Sequence, residues 1–229
     1  MALYIQLFRY TFEDEMQVIS IVSSKGGVGK TTLTSALAVA AASDGKRVAL
    51  VDLDPQGSLE GWLDRRGGDD LAVLENIEKA SQALEEIDEE QYDLLLVDTP
   101  PAFLALIEDA IQSADLVVIP LRASALDILA SEDAVLMARE ANVAHLCVIN
   151  DAEPRWKTTE AASKYLTVNK VPVAKAIVTH RAAYLGAMTA GKTGPEIDKT
   201  GTAKEEISAL WAEVKAILAK VRKGAKANV

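Results

Sequence analysis

Val18-Ile19-Ser20-Ile21-Val22-Ser23-Ser24-Lys25-Gly26-Gly27-Val28-Gly29-Lys30-Thr31-Thr32, running on into the small-residue apolar stretch from Leu33 to Ala42, decides the fold. An apolar strand enters a glycine turn, and the turn opens a helix. That order is the context in which a phosphate-binding loop has meaning. Glycines let the backbone curl so that successive N–H groups across Gly26, Gly27, Val28 and Gly29 point inward at an anion. The helix N-terminus that starts with Lys30, Thr31 and Thr32 adds its partial positive charge. Lys30 is placed to neutralise β/γ-phosphates, and the Thr31 hydroxyl to hold Mg²⁺. The stretch predicts a nucleoside triphosphate site.

The loop departs from the general G-x-x-x-x-G-K-[ST] pattern, which would put glycine at Ser24. It opens instead with Lys25 and a double glycine. This resembles the KGGxGK[ST] box of the ParA/MinD family of dimerising P-loop ATPases. The resemblance implies ATP as the nucleotide and a homodimer formed on ATP. It also implies that Lys25 reaches across a two-fold axis to the partner's phosphates, where a second cation would stabilise charge developing in the transition state. Read from the residue alone, Lys25 could equally be a solvated loop lysine.

Two carboxylate-bearing segments follow. Val48-Ala49-Leu50-Val51-Asp52-Leu53-Asp54-Pro55-Gln56-Gly57 and Leu94-Leu95-Leu96-Val97-Asp98-Thr99-Pro100-Pro101 are apolar strands ending in aspartate. The carboxyl ends of neighbouring strands in a parallel sheet converge on one crevice. Asp98 then holds Mg²⁺ through its water shell, Asp52 sits near the same metal, and Asp54 positions or polarises the attacking water. Strand-terminal aspartates also start turns and cap helices, a reading that competes for each of them.

Apolar strands are expected at 18–23, 47–52, 94–98, 115–120, 145–150 and 175–179, with a weak one near 71–74. Several are continuous apolar runs, as expected when helices cover both faces of a sheet. The fold class is α/β: a mostly parallel twisted sheet with helices on both faces, in the SIMIBI-like P-loop architecture that the resemblance implies. No internal repeat or low-complexity linker divides the chain, so one ATPase domain is expected over 16–229. Residues 1–15 form an N-terminal extension, an arm or an extra edge strand ahead of it. The single cysteine, Cys147, excludes a disulfide framework, favours a reducing, cytoplasmic setting and reads as a buried strand residue. Trp62, Trp156 and Trp211 read as packing residues, and His180 as structural.

Net charge is −10, yet its distribution is uneven: residues 1–174 carry 14 Lys/Arg against 29 Asp/Glu, and residues 175–229 carry 10 against 5. After Glu213 only Lys215, Lys220, Arg222, Lys223 and Lys226 are charged. Such asymmetry suits a surface that neutralises phosphates, and it also suits an ordinary solvated helix face with a basic tail. The helix itself is legible in Ile207, Leu210, Trp211, Val214, Ile217, Leu218 and Val221, spaced three and four apart.

The resemblance extends to Ala176-Ile177-Val178-Thr179-His180-Arg181-Ala182-Ala183-Tyr184 and Gly201-Thr202-Ala203-Lys204-Glu205-Glu206-Ile207, which look like the C-terminal third of short, ParF-like ParA proteins. It implies that Asn150 contacts the adenine base and that the ATP dimer binds DNA without sequence preference. A small ParB/ParG-like adaptor would stimulate hydrolysis. Arg181 matches a DNA-linked position, though a structural salt bridge fits it equally well; Lys215, Lys220 and Arg222 complete the candidate DNA surface. The leading expectation is a nucleoid-associated ATPase partitioning plasmid or chromosome DNA, and the second is the same machine positioning a protein cargo. A MinD-like membrane-surface ATPase ranks lower, because the tail after Lys220 carries no aromatic residue. A small-molecule P-loop enzyme leaves Lys25 without a purpose.

Overall fold

The computed structural model describes residues 15–153 and 157–227. The expectations for residues 1–14 and for Trp156 lie outside these. Six strands, β1 (Gln17–Ile21), β2 (Val48–Asp52), β3 (Ala72–Val73), β4 (Leu94–Asp98), β5 (Leu116–Leu121) and β6 (Ala144–Ile149), form one sheet in the order β3-β2-β4-β1-β5-β6. Every neighbouring pair is parallel. The chain therefore leaves each strand at the same edge, and the segments after β1, β2 and β4 meet there. Register is tight at that edge: Ile21 and Asp52 both lie opposite Asp98.

Alternate residues of each strand feed different layers. Ile19, Ile21, Leu50, Leu96, Val118 and Val148 pack under α1 (Lys30–Ser43), α2 (Ser58–Arg66) and α9 (Thr202–Ala227). On the other face, Val117, Ile119, Cys147 and Ile149 pack against α4 (Leu104–Gln112), α5 (Ala125–Glu140) and α6 (Lys157–Val168). Ala49, Val51, Leu95 and Val97 pack beneath α3 (Ala80–Glu86). Both faces are covered, which explains the unbroken apolar strands. Two further helices, α7 (Ala182–Thr189) and α8 (Gly194–Ile197), lead into α9.

Trp62 and Trp211 are packing residues as read: Trp62 is fully buried and donates its indole N–H to the Lys192 carbonyl at 2.9 Å. Cys147 is buried in β6, and burial pushes its thiol up to about 12. The α9 stripe is also as read, with Ile207, Leu210, Trp211, Val214 and Leu218 buried.

The strand expected at 175–179 is a correction. Only isolated bridges form beside β6, at Val173 opposite Cys147 and Thr179 opposite Ala152. Between them, the backbone N–H groups of Lys175 and Ala176 donate to the Glu213 carboxylate on α9, at 3.0 and 2.8 Å. At Ala176 a side-chain acceptor takes the donor that would have continued the ladder from Ala174, which bonds the Cys147 carbonyl at 2.8 Å. Pairing resumes only at Val178, whose N–H meets the Ile149 carbonyl at 3.0 Å.

Candidate nucleotide site

The loop between β1 and α1 turns on Gly27 and Gly29, whose φ angles of 73° and 86° are left-handed and favour glycine. At Gly29 a side chain would also meet the Asn150 amide, which would have to move aside and give up its place against the loop. Leu33 N–H closes the first helical bond on the Gly29 carbonyl at 2.9 Å. The N–H groups ahead of it are thereby directed toward the strand ends.

Gly26, Gly27, Gly29, Lys30, Thr31, Thr32 and Asp54 line one cavity of about 510 Å³, with Arg65 and Met188 at its rim. Lys30 is largely buried and its ammonium donates to the Lys25 carbonyl at 3.3 Å. Burial holds its pKa below the ordinary lysine value, opposed by Asp98 and Asp54. Asp98 is fully buried at the end of β4 and accepts from the Thr31 hydroxyl at 2.6 Å and from Thr34 at 3.3 Å. Burial raises its pKa against those hydrogen bonds, with Asp52 raising it further and Lys30 opposing. A hydroxyl and a carboxylate at this spacing are the hard oxygen donors that Mg²⁺ takes, the remaining positions falling to water and phosphate. Among the described residues no cluster of three His, Cys, Asp or Glu side chains could cage a metal by itself.

Asp54 lines the cavity, and its carboxylate accepts the Gln56 N–H at 3.0 Å. Asp52 is committed elsewhere. Its carboxylate accepts from Leu59 N–H at 2.8 Å, Glu60 N–H at 3.2 Å and Asp54 N–H at 3.0 Å. It therefore acts as the N-terminal anchor of α2, the helix-capping alternative that the sequence left open. Burial nevertheless raises its pKa, so those bonds do not fully replace water.

Lys25 turns away from the cavity that Lys30 enters. Its ammonium pairs with the Asp127 carboxylate on α5 at 2.8 Å. Asp127 also accepts the Ser124 hydroxyl at 2.7 Å, while Ser124 caps α5 by accepting the Asp127 N–H. Burial pushes the Asp127 pKa up, but the bonds from Lys25 and Ser124 prevail and hold it below the ordinary carboxylate value. Sequence reading missed Asp127. The Ser-x-x-Asp helix start was visible, but nothing links it to a lysine 102 positions away.

A second cavity of about 250 Å³ adjoins the loop, lined by Gly29, Thr32, Arg122, Asn150, Thr179, His180 and Tyr184 among others. Asn150 lines this cavity, and its amide donates to the Val28 carbonyl at 2.7 Å. Arg122, Asp151 and His180 form the polar rim, with Asp151 3.3 Å from Arg122 and 2.6 Å from His180. None of the three was singled out as a site residue from the sequence.

Three of the four candidate DNA cations are engaged within the chain. Arg181 pairs with Glu206 at 2.7 Å, Lys215 pairs with Asp44 at 2.6 Å over the Trp211 ring, and Arg222 donates to the Glu15 carbonyl. Lys220 and Lys223 are exposed on α9.

A parallel α/β sheet with a glycine loop between β1 and its helix, a buried lysine and a threonine–aspartate pair defines a P-loop nucleotide-binding protein. The chain belongs to the family described as the CobQ/CobB/MinD/ParA nucleotide binding domain, whose profile matches residues 19–184. Over 206 residues it is 30% identical to the maintenance of carboxysome distribution protein A of Halothiobacillus neapolitanus, which covers 86% of this chain and 95% of that protein. A 29% identity over 180 residues links it to the protein ParA of Rhizobium radiobacter, covering 74% of this chain and 81% of that one. The septum site-determining protein MinD of Pyrococcus horikoshii, solved with Mg-ADP, shares the fold at a TM-score of 0.74 and 20% identity over 90% of this chain and 98% of that one. Among the described residues no helix is long and apolar enough to cross a membrane.

Proposed function

We propose that the chain is a Mg²⁺-dependent ATPase whose ATP-bound form is a homodimer that positions a cargo along non-specific DNA. The observation that carries this reading is the division of labour between two lysines of one loop. Lys30 lies in the phosphate cavity of its own chain, and Lys25 is held outside that cavity by Asp127. A lysine beside the loop but outside its own cavity can serve another subunit's phosphates by exchanging its Asp127 partner for them.

In the proposed cycle the loop N–H groups and Lys30 hold the β/γ-phosphates, while Thr31 and, through water, Asp98 would hold a Mg²⁺ ion, which would supply charge neutralisation. Asp54 orients the attacking water, and Lys25 of the partner subunit meets the charge that develops as the bond breaks. Asp52 has its principal role as the anchor of α2, which carries Arg65 at the cavity rim.

The cargo is open to two readings of the same machine, DNA itself or a protein assembly. Likeness to the carboxysome distribution protein over most of both chains favours a protein assembly, moved by a small adaptor that stimulates hydrolysis. For the track, pairing two subunits would align the exposed Lys220 and Lys223 of both α9 helices, and counterion release makes affinity climb steeply with the number of cations. Arg181, Lys215 and Arg222 contribute only by exchanging their internal partners for phosphates. The test is binding of an Asp54→Ala variant, with ATP and with ADP, to duplexes of unrelated sequence across a salt series. Equal affinity for all duplexes, requiring ATP and falling with salt, supports the reading. An ATP form that ignores DNA at low salt and sediments with anionic liposomes overturns it in favour of a membrane surface.

A further inference from the structure

Two successive carbonyls of the phosphate loop are gripped from outside the cradle. The Arg122 guanidinium donates to the Gly27 carbonyl, and the Asn150 amide donates to the Val28 carbonyl at 2.7 Å. The two side chains come from adjacent positions in space. Arg122 follows Leu121 at the end of β5, Asn150 follows Ile149 at the end of β6, and Leu121 and Ile149 are register partners. The rigid sheet therefore sets where both donors stand.

In a trans peptide the C=O and N–H lie in one plane and point in opposite directions across the C–N bond. Fixing the Gly27 carbonyl toward Arg122 turns the Val28 N–H the other way. Fixing the Val28 carbonyl toward Asn150 does the same for the Gly29 N–H. These are donors that the loop offers to an anion, and in a glycine-rich turn little else restrains their planes. A guanidinium on the carbonyl also polarises the peptide and makes its N–H a stronger donor.

The guanidinium is itself oriented. Its Nε lies 3.3 Å from the Asp151 carboxylate, whose other oxygen lies 2.6 Å from His180 Nδ1. Asp151 holds a φ of 55°, a conformation that costs a non-glycine residue energy and persists where surrounding contacts enforce it. We propose that Arg122 is a positioning residue for phosphate binding: it locks the Gly27 peptide so that the loop N–H groups are preset toward the anion, and Asp151 holds the guanidinium in place. The inference rests on the nucleotide-site reading above. It assigns Arg122 a role on the phosphates, although Arg122 also lines the cavity on the base side of the loop.

Titration calorimetry on the full chain, with Mg-ADP and with inorganic pyrophosphate as separate probes, tests it. Pyrophosphate carries no base, so the two ligands separate cradle from base pocket. Arg122→Ala is expected to weaken both by the same factor, about tenfold, the worth of one charged hydrogen bond. Arg122→Gln should recover part of that loss for both, since its amide can still donate to the Gly27 carbonyl. Asp151→Asn should cost both ligands less than Arg122→Ala does. Unchanged thermal unfolding of the Gln and Asn variants separates the effect from misfolding. Loss of ADP affinity with pyrophosphate unaltered makes Arg122 a base contact and overturns the proposal, as does no change for either probe. A wild-type chain that binds neither ligand removes the nucleotide reading itself, and the proposal with it.

Discussion

The Lys25 ammonium lies 2.8 Å from the Asp127 carboxylate of the same chain, so the lysine that the dimer reading sends to a partner subunit is tethered at home in the single subunit. The Lys25 side chain is 37% exposed and that of Asp127 11%, a pairing still partly screened by water. Pairs of this kind contribute up to about 1 kcal/mol. In the proposed dimer, several phosphate charges on a partner would outcompete such a tether, which is what a reversible switch needs.

Weakening the tether should favour dimerisation. Asp127→Asn keeps a polar partner for Ser124 at the start of α5 while removing the charge that holds Lys25. In an Asp54→Ala background with ATP, the dimer is expected to tighten by up to about thirtyfold, the equivalent of two tethers of about 1 kcal/mol each. Sedimentation velocity over a concentration series reads this, and a looser dimer would assign Asp127 to the interface instead.

Lys30 and Asp54 share a cavity but should fail differently. Lys30→Ala removes the buried cation under the phosphates and is expected to abolish Mg-ADP binding. Asp54→Ala should bind Mg-ADP within about threefold of wild type while phosphate release falls on the order of a hundredfold, as when a water-positioning group is lost. Calorimetry and a phosphate-release assay on the same preparations separate the two. Normal turnover without Asp54 would withdraw its assigned role.

The chain's two histidines should titrate on opposite sides of the ordinary value. The hydrogen bond and charge of Asp151 raise the His180 pKa, whereas burial lowers that of His145. Because His180 is raised in the folded state, its tie to Asp151 is fully present at low pH and is lost as pH rises through the raised value. Histidine side-chain NMR across pH 5–9, a range taken to bracket the roughly 6.5 midpoint of an ordinary histidine, should show the later-titrating ring shift back toward the ordinary value in Asp151→Asn. The other ring should stay put. A shared midpoint in wild type would remove the Asp151–His180 pair.

Trp62 ties α2 to the segment after α7. Trp62→Ala empties a fully buried site and is expected to cost about 3–5 kcal/mol in urea unfolding. Trp62→Phe should cost less, keeping most of the apolar contact but leaving the Lys192 carbonyl without its indole donor. Equal losses would mean that the hydrogen bond, not the packing, dominates.

What was legible in the sequence was whatever is local along the chain. The run from Val18 to Thr32 encodes strand, turn and helix within 15 residues, and the aspartates at 52, 54 and 98 stand at the ends of apolar runs that only a parallel sheet explains. Lys30, Thr31, Asp54 and the buried Asp98 come together accordingly. Contacts between distant positions were not legible. Asp127 meets Lys25, and Arg122 meets Gly27, because β5 lies beside β1 in the sheet, and no periodicity announces that neighbour. Asp52 lies beside Asp98 as the strand ends predict, and what the sequence did not single out among its alternatives is that its carboxylate also holds the N–H groups of α2. The 175–179 segment reads as a strand by composition, but Glu213 on a helix some forty positions later takes its donors. Arg181 and Lys215 likewise find acids that linear charge counting does not pair with them.

The proposed cycle turns on Lys25 reaching the partner subunit's phosphates. Sedimentation of the Asp54→Ala variant with ATP, alongside the same variant carrying Lys25→Ala, isolates that contact. Two subunits per particle are expected with ATP, one with ADP, and one with ATP once Lys25 is removed. A particle that stays single with ATP at every protein concentration, or a dimer that forms equally well without Lys25, would contradict it.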